Sequence, residues 1–372
     1  MPPEILDLDA QATSPLSAPA LAAMLPHLQT QHWNPHSAHR GGRLAKAALE
    51  AARTRLATAL ARDPQGLIFT SGATEANNLA LKGTLESRPG RLLSFATEHS
   101  CVLESARHLE RRGTPATIIP VQPNGLPDRA AYSAALAAGN VALVSAMWVN
   151  NEVGTIWPIA DMAAEAHAHG ALFHTDAAQA FTKLPLDAPH ADLISLSAHK
   201  IGGPKGIGAL WVRPGLQLAP LLDGGGQEAG LRSGTQSPAL AAGFAAAAAL
   251  ADPAETQRQA RALMDIALEA LAPIPHQING PDPRGPHRWP GNLSVTLPVD
   301  AARLISALPT LALASGSACS SGSGRPSHVL AALGLNTAAA RRTLRLGWQP
   351  AMSPDSLRTA LTRLTETVKR LA

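Results

Sequence analysis

Short apolar runs alternate with longer amphipathic stretches through the first two-thirds of the chain. The runs at 65–70, 91–96, 116–120, 141–147, 171–175, 192–196 and 209–212 have strand length and read as buried strands. Between them, apolar residues at helical spacing predict helices over 43–61, from about 74, and over 101–111, 129–137 and 159–169. A shorter helix is expected over 16–28, with Pro19 near its start and Pro26 interrupting its end. This rhythm argues for an α/β fold: a mainly parallel sheet covered by helices on both faces. In such sheets ligands gather beyond the carboxyl ends of the strands. Thr74, His99, Asn150, Asn151, Asp176, Gln179, His199 and Lys200 fall at those ends.

The pattern changes after about residue 240. An Ala-rich helix, broken near Pro253, continues over 255–271, and a Pro/Gly-rich segment follows at 272–291. Residues 292–297 alternate as a strand, 301–308 form a short helix, and helical runs close the chain at 329–333 and 355–371. A Gly/Ser tract at 315–324 carries Cys319. We therefore expect a large α/β domain over 15–240. A smaller α+β domain, built from 1–14 and 241–372, would carry the Cys319 loop.

Composition narrows the function classes. The chain has 372 residues, 45% of them hydrophobic, which suits a globular protein with ample core. A net charge of +4, with no long basic run, gives no footing for nucleic acid. The start lacks the features of a signal peptide, and the Ala-rich stretch at 239–251 is shorter than a membrane span. A cytoplasmic protein with no membrane partner is the expectation. Two cysteines, Cys101 and Cys319, make no disulfide framework and no paired metal site, so no metal is expected.

The candidate chemistry centres on Ser197-Ala198-His199-Lys200, between a strand and a Gly-rich turn. An amine presented there can condense with a carbonyl cofactor, and partial shielding from water eases loss of its proton. Asp176 closes the preceding strand, where a buried carboxylate calls for a cationic partner such as a protonated pyridine nitrogen. The strand, Gly turn and helix start at Ser71-Gly72-Ala73-Thr74-Glu75 make a phosphate cradle. His99 follows another strand and is placed to stack on a planar cofactor and move protons. Each residue alone has a plainer counterpart: a surface lysine, helix N-caps at Asp176 and Thr74, a hydrogen-bonded surface histidine. Cys319, in a small-residue tract, is expected to be exposed, as a nucleophile that must reach another site would be. Cys101 opens a helix and reads as structural, although a helix N-terminus can lower a thiol pKa.

Taken in order, these stretches resemble a known family. Thr70–Asn78, Thr97-Glu98-His99, Asn150–Gly154, Asp176–Gln179, Ser197–Lys200, Gly224–Glu228, Leu231–Thr235 and Ser315–Cys319 are similar to the cysteine desulfurases of the NifS/IscS type. These are class V aminotransferase-like, fold-type I pyridoxal phosphate enzymes. The resemblance implies a homodimer that converts L-cysteine to L-alanine and leaves a persulfide on Cys319. Lys200 would carry pyridoxal 5'-phosphate, Asp176 would pair with its ring nitrogen, and Gln179 and Asn151 would contact its phenolic oxygen side. His99 would stack on the ring and assist proton transfers. Ala73, Thr74, Ser197 and His199 would hold the phosphate, with Thr235 reaching over from the other subunit. Arg345 and Asn151 would bind the substrate carboxylate, and a sulfur acceptor or iron–sulfur scaffold protein would take the persulfide sulfur. The chain departs from the family pattern at Ala229, where arginine is usual. A selenocysteine lyase, an aminotransferase of the same class or a weakly active sulfur-relay partner are the rival readings, and Cys319 argues against the aminotransferase.

Overall fold

The computed structural model describes residues 5–186, 189–315 and 327–372. Seven strands form the main sheet: β1 (Leu67–Thr70), β2 (Arg91–Phe95), β3 (Ala116–Ile119), β4 (Val141–Met147), β5 (Leu172–Asp176), β6 (Leu193–Ser197) and β7 (Gly208–Val212). Their order across the sheet is β1-β7-β6-β5-β4-β2-β3. The run from β6 to β3 is parallel, while β7 is antiparallel to both β6 and β1. Every residue of β1 and of β4 through β7 is buried, as expected for strands covered on both faces. The core around this sheet includes Phe95, Trp157, Phe173 and Phe181.

Three helices pack beside one another on this unit: Ala18–Gln29, Arg40–Ala59 and Pro238–Ala248. A Cβ at Gly243 would stand 2.7 Å from the Met24 sulfur, so the small residues of the Ala-rich helix permit this close approach. Phe244 and Ala245 of that helix lie in the first core. The expected break at Pro26 does not occur, since helix Ala18–Gln29 runs through it. Pro26 stands in the last turn, where its carbonyl accepts from the Thr30 amide. Only three helical residues follow Pro26, so a bend there displaces little of the helix.

The second unit has its own core, with Leu263, Leu293, Leu346 and Leu361 completely or almost completely buried. Its sheet is antiparallel in the order β10-β11-β9-β8, from β8 (Gln277–Asn279), β9 (Asn292–Thr296), β10 (Ala314–Ser315) and β11 (Thr343–Gly347). The N-terminal segment joins it, with Leu6–Asp7 pairing in parallel with residues 311–312. The chain then crosses to the main sheet, so residues 11–14 lie against the turn that follows β6.

Candidate active site

The carboxyl ends of β4, β5 and β6 open into a cavity of about 610 Å³. Ala73, Thr74, His99, Asn151, Asp176, Gln179, Ser197, His199, Lys200 and Arg345 all line it. Ten residues proposed from sequence thus meet at one place, from both units of the fold. Thr235 does not line this cavity. It is exposed beside a smaller one of about 120 Å³, with Arg232 and Gln236. Cys319 lies outside the described residues.

Lys200 ends a single helical turn, Ala198–Lys200, directly after β6. Its Nζ donates to the carbonyl oxygens of Gln11 at 2.6 Å and Ala12 at 2.8 Å. The same N-terminal strap secures the turn further, with Ser14 donating to the His199 carbonyl and accepting from the Gly202 amide. Nothing in the local sequence announces this strap, because its partners are 188 residues away.

Asp176 ends β5 and is 8% exposed. One carboxylate oxygen accepts from the Ala178 amide at 2.9 Å, as a capping aspartate would. The other accepts from Asn77 Nδ2 at 2.6 Å. Both donors are neutral, so a cationic group bound in the cavity would find a carboxylate held ready for it. Asn77 went unnoticed in the sequence, although it lies three residues after Thr74 and so shares its helix face.

Helix Ala73–Asn78 continues through Leu79–Gly83 into Thr84–Ser87. Its first residue follows Gly72, which has extended backbone and provides no side-chain cap. No side chain caps this helix start, and Gly72, Ala73 and Thr74 line the cavity, so first-turn amides there would be available to an anion. Packing explains the nearby glycine: a Cβ at Gly208 would stand 2.7 Å from the Gly72 backbone.

His99 caps helix Ser100–Arg111 with its own ring. Nδ1 accepts from the Cys101 amide at 3.2 Å and lies 3.0 Å from the Cys101 sulfur. An amide can only donate, so neutral His99 carries its proton on Nε2. The ring is exposed to the cavity, yet the surrounding walls remove enough water to lower its pKa, against the opposing pull of Asp176. Burial, followed by the charges of Lys200, Lys205 and Lys183, pushes His199 down to about 4. A bound anion would relieve that accumulation of positive charge.

Cys101 also lines the cavity. The helix N-terminus does not activate it: burial, with the Asp176 charge, pushes the thiol up to about 12. Gln179 is held at both ends, its Nε2 donating to the Gln11 carbonyl and its Oε1 accepting from Lys183. Arg345 lies on β11, with Nη2 2.6 Å from Asp9 Oδ1. A substrate carboxylate at Arg345 would share the guanidinium with Asp9.

The donor set fits pyridoxal phosphate. It combines uncapped amides and cations for a phosphate, an amine for an aldehyde, and a buried carboxylate for a basic ring nitrogen.

Comparison with known proteins agrees with this geometry. Residues 7–356 match the aminotransferase class-V family. A human protein named cysteine desulfurase is 40% identical over 378 residues, covering 98% of this chain and 82% of its own length. The cysteine desulfurase IscS of Rickettsia bellii is 40% identical over 353 residues, covering 91% of this chain and 85% of that protein. Among solved structures, a NifS-like protein superposes with a TM-score of 0.90 at 30% identity, over 99% of this chain and 100% of that one. SspA in complex with cysteine gives a TM-score of 0.81 at 35% identity, over 93% of this chain and 99% of that one. Fold and strand-end cavity together define a class V, aminotransferase-like enzyme. The chain belongs to that family as a cysteine desulfurase of the NifS/IscS type.

Proposed function

We propose that the cavity binds pyridoxal 5'-phosphate on Lys200, and that sulfur from L-cysteine passes to Cys319 as a persulfide while L-alanine is released. The observation that carries the reading is the meeting of Lys200, Asp176 and the uncapped Ala73–Asn78 helix in one cavity. When bound, the cofactor supplies an electron sink that lets the substrate Cα–H and C–S bonds break. Lys200 Nζ takes up the Cα proton and returns a proton to the product. Asp176 would hold a proton at the ring nitrogen, and Gln179 would donate an N–H to the phenolic oxygen. Arg345 and Asn151 orient the substrate carboxylate, while Ala73, Thr74, Ser197 and His199 hold the phosphate. His99, which lines the cavity with its proton on Nε2, would stack on the ring and donate a proton where negative charge develops.

The transfer balances without an external oxidant or reductant. The Cys319 thiolate attacks the substrate sulfur, the C–S bond breaks, and its electrons with a proton complete the methyl group of alanine. Thr235, exposed and outside the main cavity, suits a phosphate contact made across a homodimer. A sulfur acceptor or iron–sulfur scaffold protein, in the cytoplasm, would receive the persulfide sulfur. Among the described residues, no helix is long and apolar enough to cross a membrane.

Reconstitution tests the reading. Wild-type protein is expected to take up pyridoxal phosphate with a visible absorption band that resists dialysis, and Lys200→Ala to lose that band. Protein that never acquires the band sinks the proposal.

A further inference from the structure

Lys183 is a fully enclosed lysine with no assigned role. It is 9% exposed, its Nζ lies 5.7 Å from the centre of the Trp289 ring, and Trp289 is itself buried. Its Nζ donates to Gln179 Oε1 at 2.9 Å. An ammonium enclosed beside an indole, with an amide oxygen as its partner, is an expensive arrangement. Burial, helped by the Lys200 charge, pushes its pKa down to about 7. The arrangement has a geometric result. The Gln11 carbonyl can only accept, and Lys183 in its charged form can only donate, so the two ends of the Gln179 amide are assigned by chemistry. Oε1 faces Lys183, and Nε2 faces the Gln11 carbonyl at 2.9 Å. The second N–H of Nε2 is left to face the cavity that Gln179 lines. The same Gln11 carbonyl accepts from Lys200, which ties the amide to the lysine turn.

We propose that Lys183 is a positioning residue: it locks the Gln179 amide so that an N–H donor, and never the amide oxygen, meets an oxygen acceptor of the bound cofactor. The inference rests on the pyridoxal phosphate reading above. Without Lys183, only the Gln11 carbonyl holds the amide, and the amide oxygen loses the donor that keeps it turned away from the cavity.

The test uses the full chain loaded with pyridoxal phosphate at one fixed pH. It reads the cofactor dissociation constant and the position of the visible band. Lys183→Met is expected to weaken cofactor binding about tenfold, the scale of one oriented hydrogen bond, and to move the band. In a Gln179→Leu background the same substitution changes affinity less than about twofold, because the group it orients is gone. Equal losses in both backgrounds, or none in either, overturn the inference while leaving the cofactor site intact. Gln179→Glu provides a separate check should Lys183→Met fail to fold. It keeps an acceptor for Lys183 but takes the N–H from the cavity, so it should also weaken binding about tenfold. Wild-type affinity in Gln179→Glu overturns the proposal. Wild-type protein that takes up no cofactor overturns the site reading and this inference with it.

Discussion

His174 links the strands beneath the cavity and makes a quantitative prediction about acid stability. It is completely buried on β5. Its Nδ1 lies 2.8 Å from Ser145 Oγ on β4, and its Nε2 lies 2.9 Å from Ser195 Oγ on β6. Burial pushes its pKa from 6.5 to about 4, although the Asp176 charge pulls the other way. The unfolded chain therefore takes up a proton near pH 6.5 that the native chain refuses until about 4. The contribution is complete above the unfolded value and is lost as the pH falls through that window. The interval corresponds to ~3 kcal/mol. Urea unfolding of cofactor-free protein across the window measures it. His199 titrates in the same direction, and carboxylates add their own dependence, so the comparison is between wild type and His174→Gln. Glutamine can bond both serines without titrating, and the variant should lose ~3 kcal/mol of the acid-side decline. If its stability falls with pH as steeply as that of wild type, the buried neutral imidazole is not what the fold protects.

Two further predictions concern charge and thiols. Glu228, with a side chain 1% exposed, accepts two bonds from Arg53, at 2.8 and 2.9 Å, and one from the Phe69 amide at 2.8 Å. Glu228→Gln should lower stability by about 2–3 kcal/mol, less than for an isolated pair because Glu50 remains beside Arg53. A change below ~1 kcal/mol in denaturant unfolding contradicts the ion pair's weight. Cys101, with its thiol held protonated, should label slowly with iodoacetamide, and Cys101→Ala should keep cysteine turnover within about threefold of wild type. A loss beyond about tenfold would make Cys101 part of the chemistry instead.

Much of the α/β frame is legible in the sequence because strands buried on both faces read as unbroken apolar runs. Val141–Met147 and helix Arg129–Ala137 fall on their expected bounds. The site residues at strand ends were legible for the same reason, since Asp176 and Lys200 each follow such a run. β11 was not, because Thr343–Gly347 alternates over too few residues to separate strand from loop and carries Arg345 in its middle. Gln11, Asn77, Asp9 and Lys183 escaped for a different reason. Their types are ordinary, and their roles come from partners distant in sequence: Gln179 and Lys200 for Gln11, Asp176 for Asn77, Arg345 for Asp9. Lys183 lies four residues after Gln179, yet only its burial shows that the pair matters. Pro26 misled because proline was weighed as a breaker without regard to its place in the final turn.

The proposed function divides the labour: Lys200 would free the sulfur and Cys319 would receive it. One experiment tests it most directly. Wild type, Lys200→Ala and Cys319→Ala are each given L-cysteine, and alanine and protein-bound persulfide are counted together. Wild type should release alanine and gain one persulfide sulfur per alanine before any acceptor is added. Lys200→Ala should yield neither product. Cys319→Ala should keep the cofactor band and form no persulfide. Alanine from Lys200→Ala, or full persulfide on Cys319→Ala, would contradict the account.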